Sequence, residues 1–579
     1  MRRAGFKRFT GTSAILSAAL LVSCMANPGP APTVDEQEEL IDAPSDDEPA
    51  EGESDASDNG DDQDTDSDAD DGASVDDAGD RSSISVGIDA FQLGFNPHLV
   101  ADDTELVDAL ADLVFPSPFK NDVIDTDVLN SAREIEAPAG VAQRLRYSIK
   151  EGAQWSDGTP ITGADFDYLW KEMVSTPGVR ELAPYRAISA ISISAGGSIV
   201  TVDLSTPVAD WHRLFTHLLP SHLLEPGQFD RVLDADIPAS AGKFSVASID
   251  QARGLITLNR NDRFWGKDPA TIDVVQLRAI RSTPQAANLL RSEQVSFVDI
   301  SPTQTLKEQL SLLGDISAES VHPSRQLRLN LSTQSQVLET PQLRRTMLSV
   351  IDTQQLARLA TERDVDLRVP YGGNPLLGSA SESEIAALAE ATKESPLRIG
   401  VDPTDKAAAV AAMTLVDMLR LEGVDARVAE NRMTTIVEES LSEGDVDAVI
   451  STVDTSVTAA NVASFFTCHT DEETTPAASA LATEDLAQTT TAKPDADKQN
   501  QQKVWSGNLS LACAGDYNER AQRILSGEIS AQQGLEMIRQ VNREQSFYLP
   551  LIDETRIRAH GADYPGGSLA TLDEIKSNF

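Results

Sequence analysis

Between Leu397 and Ser451 the chain repeats a pattern that few architectures can accommodate: a short apolar run, a long amphipathic run, a glycine, and a short apolar run again. Leu397 to Val401 read as a strand, and Lys406 to Leu421 as a helix with Val410, Met413 and Leu419 among its apolar positions and Gly423 as its stop. Ala426 to Val428 give a second strand, Met433 to Leu441 a second helix ended by Gly444, and Val446 to Ser451 a third strand. Such a β-α-β-α-β order requires parallel strands joined by crossovers. Open sheets of that kind bind ligands outside the carboxyl ends of their strands. Ser451, Thr452, Val453 and Asp454 lie at such an end.

The first half of the chain reads as mixed α+β. Ile84 to Asp89 alternate as a strand, as do Leu145, Tyr147 and Ile149 against Arg146, Ser148 and Lys150. The latter run meets the turn residues Asp157, Gly158 and Pro160, and Thr162 with Asp165 forms a capping box before Phe166, Leu169, Trp170 and Met173. Strand patterns recur at Ile199 to Leu204 and Leu255 to Asn259. Strand-turn-helix geometry accounts for Trp155, Asp157 and Gly158 without a ligand.

The N-terminus determines where the chain works. Arg2, Arg3, Lys7 and Arg8 precede an apolar stretch from Ser13 to Val22, which reads as an export leader and is too short for a bilayer core needing about 20 helical residues. Leu21, Val22, Ser23 and Cys24 resemble the bacterial lipobox, in which the cysteine is acylated and becomes the new N-terminus. Residues 24–81 then read as an acidic disordered tether, since positions 33–80 hold 22 Asp or Glu and no Lys or Arg. With so few large apolar side chains, the segment cannot offset its ordering entropy. Calcium binding is the sharper reading of so many acids, but no Gly-turned ligand loop accompanies them.

Of the net charge of −45, the leader and tether leave 70 acids against 43 bases for the remainder. Nucleic acid is thereby disfavoured as a partner, because phosphate binding needs a basic footprint. Cys468 and Cys513 flank a low-complexity insertion, 469–504, and in an oxidising exterior they read as a disulfide. A metal pair helped by His469 is the rival reading. The seven histidines are scattered, and no HExxH helix, GxSxG elbow or P-loop is present. No catalytic residue, metal site or cofactor is expected.

LRYSIKEGAQWSDGTPITGADFDYLW at Leu145 to Trp170 resembles the signature of the family 5 extracellular solute-binding proteins, which include dipeptide- and oligopeptide-binding components of ABC importers. RNDRFWG at Arg260, RLNLSTQ at Arg328, a helix Arg344 to Ala360 containing Asp352, and FYLPLID near the C-terminus extend the resemblance. FNPHL at Phe95, VFPSPF at Val114, LLPSHLL at Leu218 and the Cys-flanked insertion followed by NLSLAC are similar to the LpqW-type lipoproteins of actinobacteria. That subgroup is associated with synthesis of phosphatidylinositol mannosides and lipoarabinomannan.

The resemblance implies an α/β, two-lobed periplasmic-binding-protein-like fold (type II, cluster C) with an extra subdomain inserted in lobe I. On that pattern 1–23 is the lipoprotein leader, 82–325 lobe I with its inserted subdomain at about 101–215, 326–546 lobe II, and 547–579 a return to lobe I. The crossovers fall near Gln326 and Phe547. Asp454 matches by position the acid that pairs with a peptide's amine in dipeptide-binding relatives. Two readings stay open for it, ligand contact or a cap for the next helix, and Thr452 and Val453 go with it. The expected function is that of a monomeric, lipid-anchored, non-catalytic binding protein at the outer face of the cytoplasmic membrane. Its ligand is a mannosylated lipid or a peptide, and its partner a membrane mannosyltransferase or an ABC permease.

Overall fold

The computed structural model describes residues 81–91, 94–370, 379–468, 489–492 and 507–561. The leader, Cys24, the acidic tether and most of the insertion lie outside the described residues. Among those described, no helix is long and apolar enough to cross a membrane.

Two sheets organise the two lobes. The seven-stranded sheet runs in the order Ile316–Val321, Arg556–Gly561, Phe297–Ile300, Ser83–Ile88, Val274–Ala279, Leu255–Arg260, Phe244–Asp250. Its central strand Ser83–Ile88 is parallel to both neighbours and buries Ile84, Val86 and Ile88. A Cβ on Gly87 would come within 2.6 Å of Val298 Cγ1, so close strand packing requires a glycine there.

The second sheet runs Ala426–Glu430, Leu397–Val401, Ala448–Asp454, Arg325–Leu331, Tyr548–Asp553. Its three strands from the repeating segment are mutually parallel, as the β-α-β-α-β pattern predicts. The intervening helix Lys406–Leu421 has the predicted bounds, because the Asp405 side chain accepts from Ala408 N at 2.9 Å and Gly423 adopts φ +79°. Its apolar face, with Ala411, Leu415 and Leu419, packs in one core with Leu327, Leu329, Leu331 and Ile399.

A third sheet, Leu129–Ile135, Gln143–Ile149, Ile199–Leu204 and Ile188–Ser194, belongs to the segment inserted in the first lobe. Thr162 and Asp165 form the predicted capping box on the helix Gly163–Ser175.

Four expectations need correction. The helix predicted over Met433 to Leu441 is a short α turn, Met433–Thr435, running into a π turn, Ile436–Ser440. Arg344 to Ala360 is two helices, Pro341–Ser349 and Thr353–Thr361. Asp352 caps the second by accepting from Gln355 N at 2.9 Å, and an N-cap residue leaves helical backbone geometry. The chain leaves the second sheet after Asp553 rather than at Phe547, since Tyr548–Asp553 pairs with Arg325–Leu331. The four described residues of the insertion, Thr489–Ala492, pair antiparallel with Ile188–Ser194, and the rest of 469–504 lies outside the described residues. Finally, the helices Ala459–Phe465, Tyr517–Leu525 and Ala531–Gln545, assigned to lobe II, share the first lobe's apolar core through Val462, Ile524 and Ile538. Polar contacts reinforce that junction: Ala183 N donates to Ser464 Oγ at 3.0 Å and Arg186 to Cys468 O at 2.7 Å. Cys468 is itself joined to Cys513 by a disulfide, with Cα atoms 5.6 Å apart.

Candidate functional site

The two lobes enclose a cleft of about 1320 Å³, larger than the roughly 300–1,000 Å³ of ordinary small-molecule sites. Its walls are the ends of strands Ser83–Ile88 and Ala448–Asp454, the first turn of the helix Glu105–Val114, the segments around Arg180 and Arg432, and both interlobe passages. Apolar surface comes from Phe91, Leu106, Ile280, Leu327 and Ile552, and acids outnumber bases along the lining.

Thr104 caps the helix Glu105–Val114 by accepting from Val107 N at 3.2 Å, which fixes Asp103 and Asp108 on either side of its first turn. Two guanidiniums meet them. Arg180 Nη1 lies 2.7 Å from Asp108 Oδ1 and 3.2 Å from Asp103 Oδ1. Arg325, first residue of its strand in the second lobe, pairs with Asp103 through Nη2 and lies 3.2 Å from Asp108 Oδ2 through Nη1. Glu554, in the other interlobe passage, is 3.6 Å from Arg325 Nε.

Burial pushes the Asp103 carboxyl up against the pull of both guanidiniums. It works against the charged form of Arg180 as well, but Asp103 and Asp108 overcome it and hold that group above the ordinary arginine range.

A second network continues along the floor. Arg556 pairs with Asp299 and lies 3.1 Å from both Asp89 and Glu105, while Arg558 Nε is 2.9 Å from Asp299 Oδ2. Burial, opposed by Arg556, pushes the Glu105 carboxyl up to about 7.

Asp454 sits in the cleft wall, and so do Thr452 and Ser451, whereas Val453 is buried and absent from the lining. The Asp454 carboxylate accepts from Ser456 N at 2.7 Å and from Ser456 Oγ at 2.6 Å, and Arg180 Nη2 approaches Oδ2 at 3.9 Å. Its backbone N–H donates to Asp103 Oδ2 at 3.1 Å, across the lobes. The cap of the helix Ala459–Phe465 is Thr458 instead, so the capping alternative for Asp454 is set aside.

Sequence reasoning missed Asp103, Asp108, Arg180, Arg325, Glu554 and Arg556. One signal was readable: Arg325 shares strand parity with Leu327, Leu329 and Leu331, and a charge on an apolar face needs a partner. Trp155, Asp157 and Gly158 lie outside the cleft lining. Trp155 is fully buried, Asp157 Oδ1 accepts from Thr159 N at 2.8 Å, and Gly158 takes φ +95°, which is a turn's work. Among the described residues no group of three or more His, Cys, Asp or Glu is placed to hold a metal ion.

Comparison with known proteins matches this architecture. The model of bacterial extracellular solute-binding proteins, family 5 Middle, covers residues 141–473. The probable monoacyl phosphatidylinositol tetramannoside-binding protein LpqW of Mycobacterium tuberculosis is 28% identical over 429 residues, 64% of this chain and 67% of that protein. The oligopeptide-binding protein OppA of Mycobacterium bovis is 26% identical over 211 residues, 34% of this chain and 35% of that protein. Among solved structures, the oligopeptide-binding protein AppA from Bacillus subtilis, in complex with a nonapeptide, superposes with a TM-score of 0.61 at 13% identity, covering 86% of this chain and 98% of that one. That last likeness concerns the fold alone. With a family match running over more than half of its length, the chain belongs to the bacterial extracellular solute-binding proteins of family 5.

Proposed function

We propose that this is a non-catalytic, lipid-anchored binding protein at the outer face of the cytoplasmic membrane, whose cleft takes a mannosylated phosphatidylinositol. On this reading it serves the synthesis of phosphatidylinositol mannosides and lipoarabinomannan beside a membrane mannosyltransferase, with Cys24 as its acyl anchor. The observation that carries the reading is the state of Asp454. Its oxygens are already held by Ser456 and approached by Arg180, which leaves it poorly placed to receive a peptide's ammonium. Paired guanidiniums and carboxylates keep spare donors and lone pairs, and a polyol supplies both partners. The greater reach of the LpqW similarity, 64% of the chain against 34% for OppA, supports the same choice.

The second reading is a peptide-binding component of an ABC importer, favoured by the excess of acid along the cleft. Native mass spectrometry of the full mature chain, offered phosphatidylinositol mannosides and unblocked tripeptides in equal amounts, separates the two. Retention of the mannoside is expected. Retention of peptide alone would overturn the proposal in favour of import.

A further inference from the structure

Arg180 is held by the first lobe and reaches toward the second. Its backbone N donates to His98 O at 2.7 Å, and Nη1 donates to Pro97 O at 3.2 Å and Asp108 Oδ1 at 2.7 Å, all on first-lobe segments. The same guanidinium then stands 3.9 Å from Asp454 in the second lobe. With Arg325 it serves three carboxylates, Asp103, Asp108 and Asp454. Without it, Asp103, Asp108 and Asp454, together with Glu554, would face the one arginine left among them, Arg325. Such a deficit attracts whatever small cation can enter.

Three residues before Asp454 on the same strand, Ser451 belongs to the cleft lining, and its hydroxyl is buried with no hydrogen-bond partner among the described residues. A mannosyl hydroxyl that reached it would satisfy it without placing a cation at Asp454.

We propose that Arg180 is the specificity-determining residue of the cleft, a built-in cation that occupies the Asp103–Asp108–Asp454 cluster and so excludes ligands presenting an ammonium or guanidinium there, leaving the wall to neutral polyols. The idea deepens the mannoside reading and rests on it only for the class of ligand admitted; the exclusion of cations stands on the charge geometry.

The test titrates methylguanidinium and butylamine into the full mature chain and into Arg180→Ala, Arg180→Gln and Arg180→Lys, with binding followed by saturation-transfer NMR and folding by circular dichroism. Arg180→Ala is expected to bind methylguanidinium at least tenfold more tightly than the wild type, and Arg180→Lys, which keeps the charge, no better than wild type. Should the alanine variant not fold, Arg180→Gln preserves much of the side chain and must show the same gain. In the wild type, methylguanidinium should leave the melting temperature where an equal concentration of sodium leaves it. A folded neutral variant without the gain, an equal gain in Arg180→Lys, or a specific methylguanidinium effect on the wild type would each overturn the proposal. Loss of mannoside binding to the wild type would instead strike the functional reading and leave the cation gate standing.

Discussion

Replacing Arg325 by methionine is expected to lower the unfolding free energy by about 3–5 kcal/mol, read from urea denaturation followed by circular dichroism. The guanidinium is 6% exposed and its main partner, Asp103, 4% exposed, so neither can turn to water once the other is gone. Methionine fills much of the volume and supplies no donor, which isolates the electrostatic loss from a cavity. Asp103 would keep Arg180 at 3.2 Å, but Asp108 and Glu554 would lose a partner too. A double variant, Arg325→Met with Asp103→Asn, should recover part of the loss, because the most deeply buried of its three carboxylate partners is then no longer left short of charge. A cost below about 1 kcal/mol in the single variant would place the pair among weak surface bridges and remove it as the bond between the lobes.

The contrast between what was legible in the sequence and what was not has a physical source. Lys406–Leu421 was readable to the residue because its limits are local: Asp405 caps one end and Gly423 ends the other. Leu397–Val401 was equally plain, an apolar strand beneath that helix. The run Met433 to Leu441 has the same apolar periodicity, but Val100 and Leu509, distant in sequence, pack against Ile436 and Val437, and a π turn forms where a plain helix was expected. The close approach is visible at Gly178, where a Cβ would lie 2.5 Å from Val437 Cγ1.

The cleft was harder still. Asp103, Arg180, Arg325, Asp454 and Glu554 come from five separated segments, and in a chain with 92 acids no single carboxylate stands out. Periodicity locates the strand end that carries Asp454, but it cannot show that Arg180 arrives there from the other lobe. A carboxylate at a strand end is a candidate ligand contact only until its partners are known.

Lowering the pH from 7.5 to 5.5 should stabilise the protein by about 2 kcal/mol, opposite to the behaviour of a chain held together by exposed salt bridges. Burial raises the Asp102 carboxyl from 3.8 to about 7, and Glu105 likewise rises to about 7. A carboxyl with a raised folded-state pKa retains its proton where the unfolded chain has lost it. Its contribution is full below the unfolded value and is lost as pH climbs through the folded one. Each of these groups contributes at most about 2 kcal/mol over the interval. Asp103 and Glu554, also raised by burial, push the same way. His98 opposes them: burial lowers it to about 3, so the unfolded chain takes up a proton near pH 6.5 that the folded state refuses, at about 1.3 kcal/mol by pH 5.5. Thermal melts across this range should therefore shift upward on acidification, and Asp102→Asn should flatten the slope. The side chain of Asp102 accepts from Asn96 N at 3.0 Å and faces Asp234, Asp230 and Arg432, so the amide removes a titrating group while keeping an acceptor. A melting temperature that falls steadily from pH 7.5 to 5.5 would mean that these carboxyls are ionised in the folded state, and that the cleft carries its full negative charge at neutral pH.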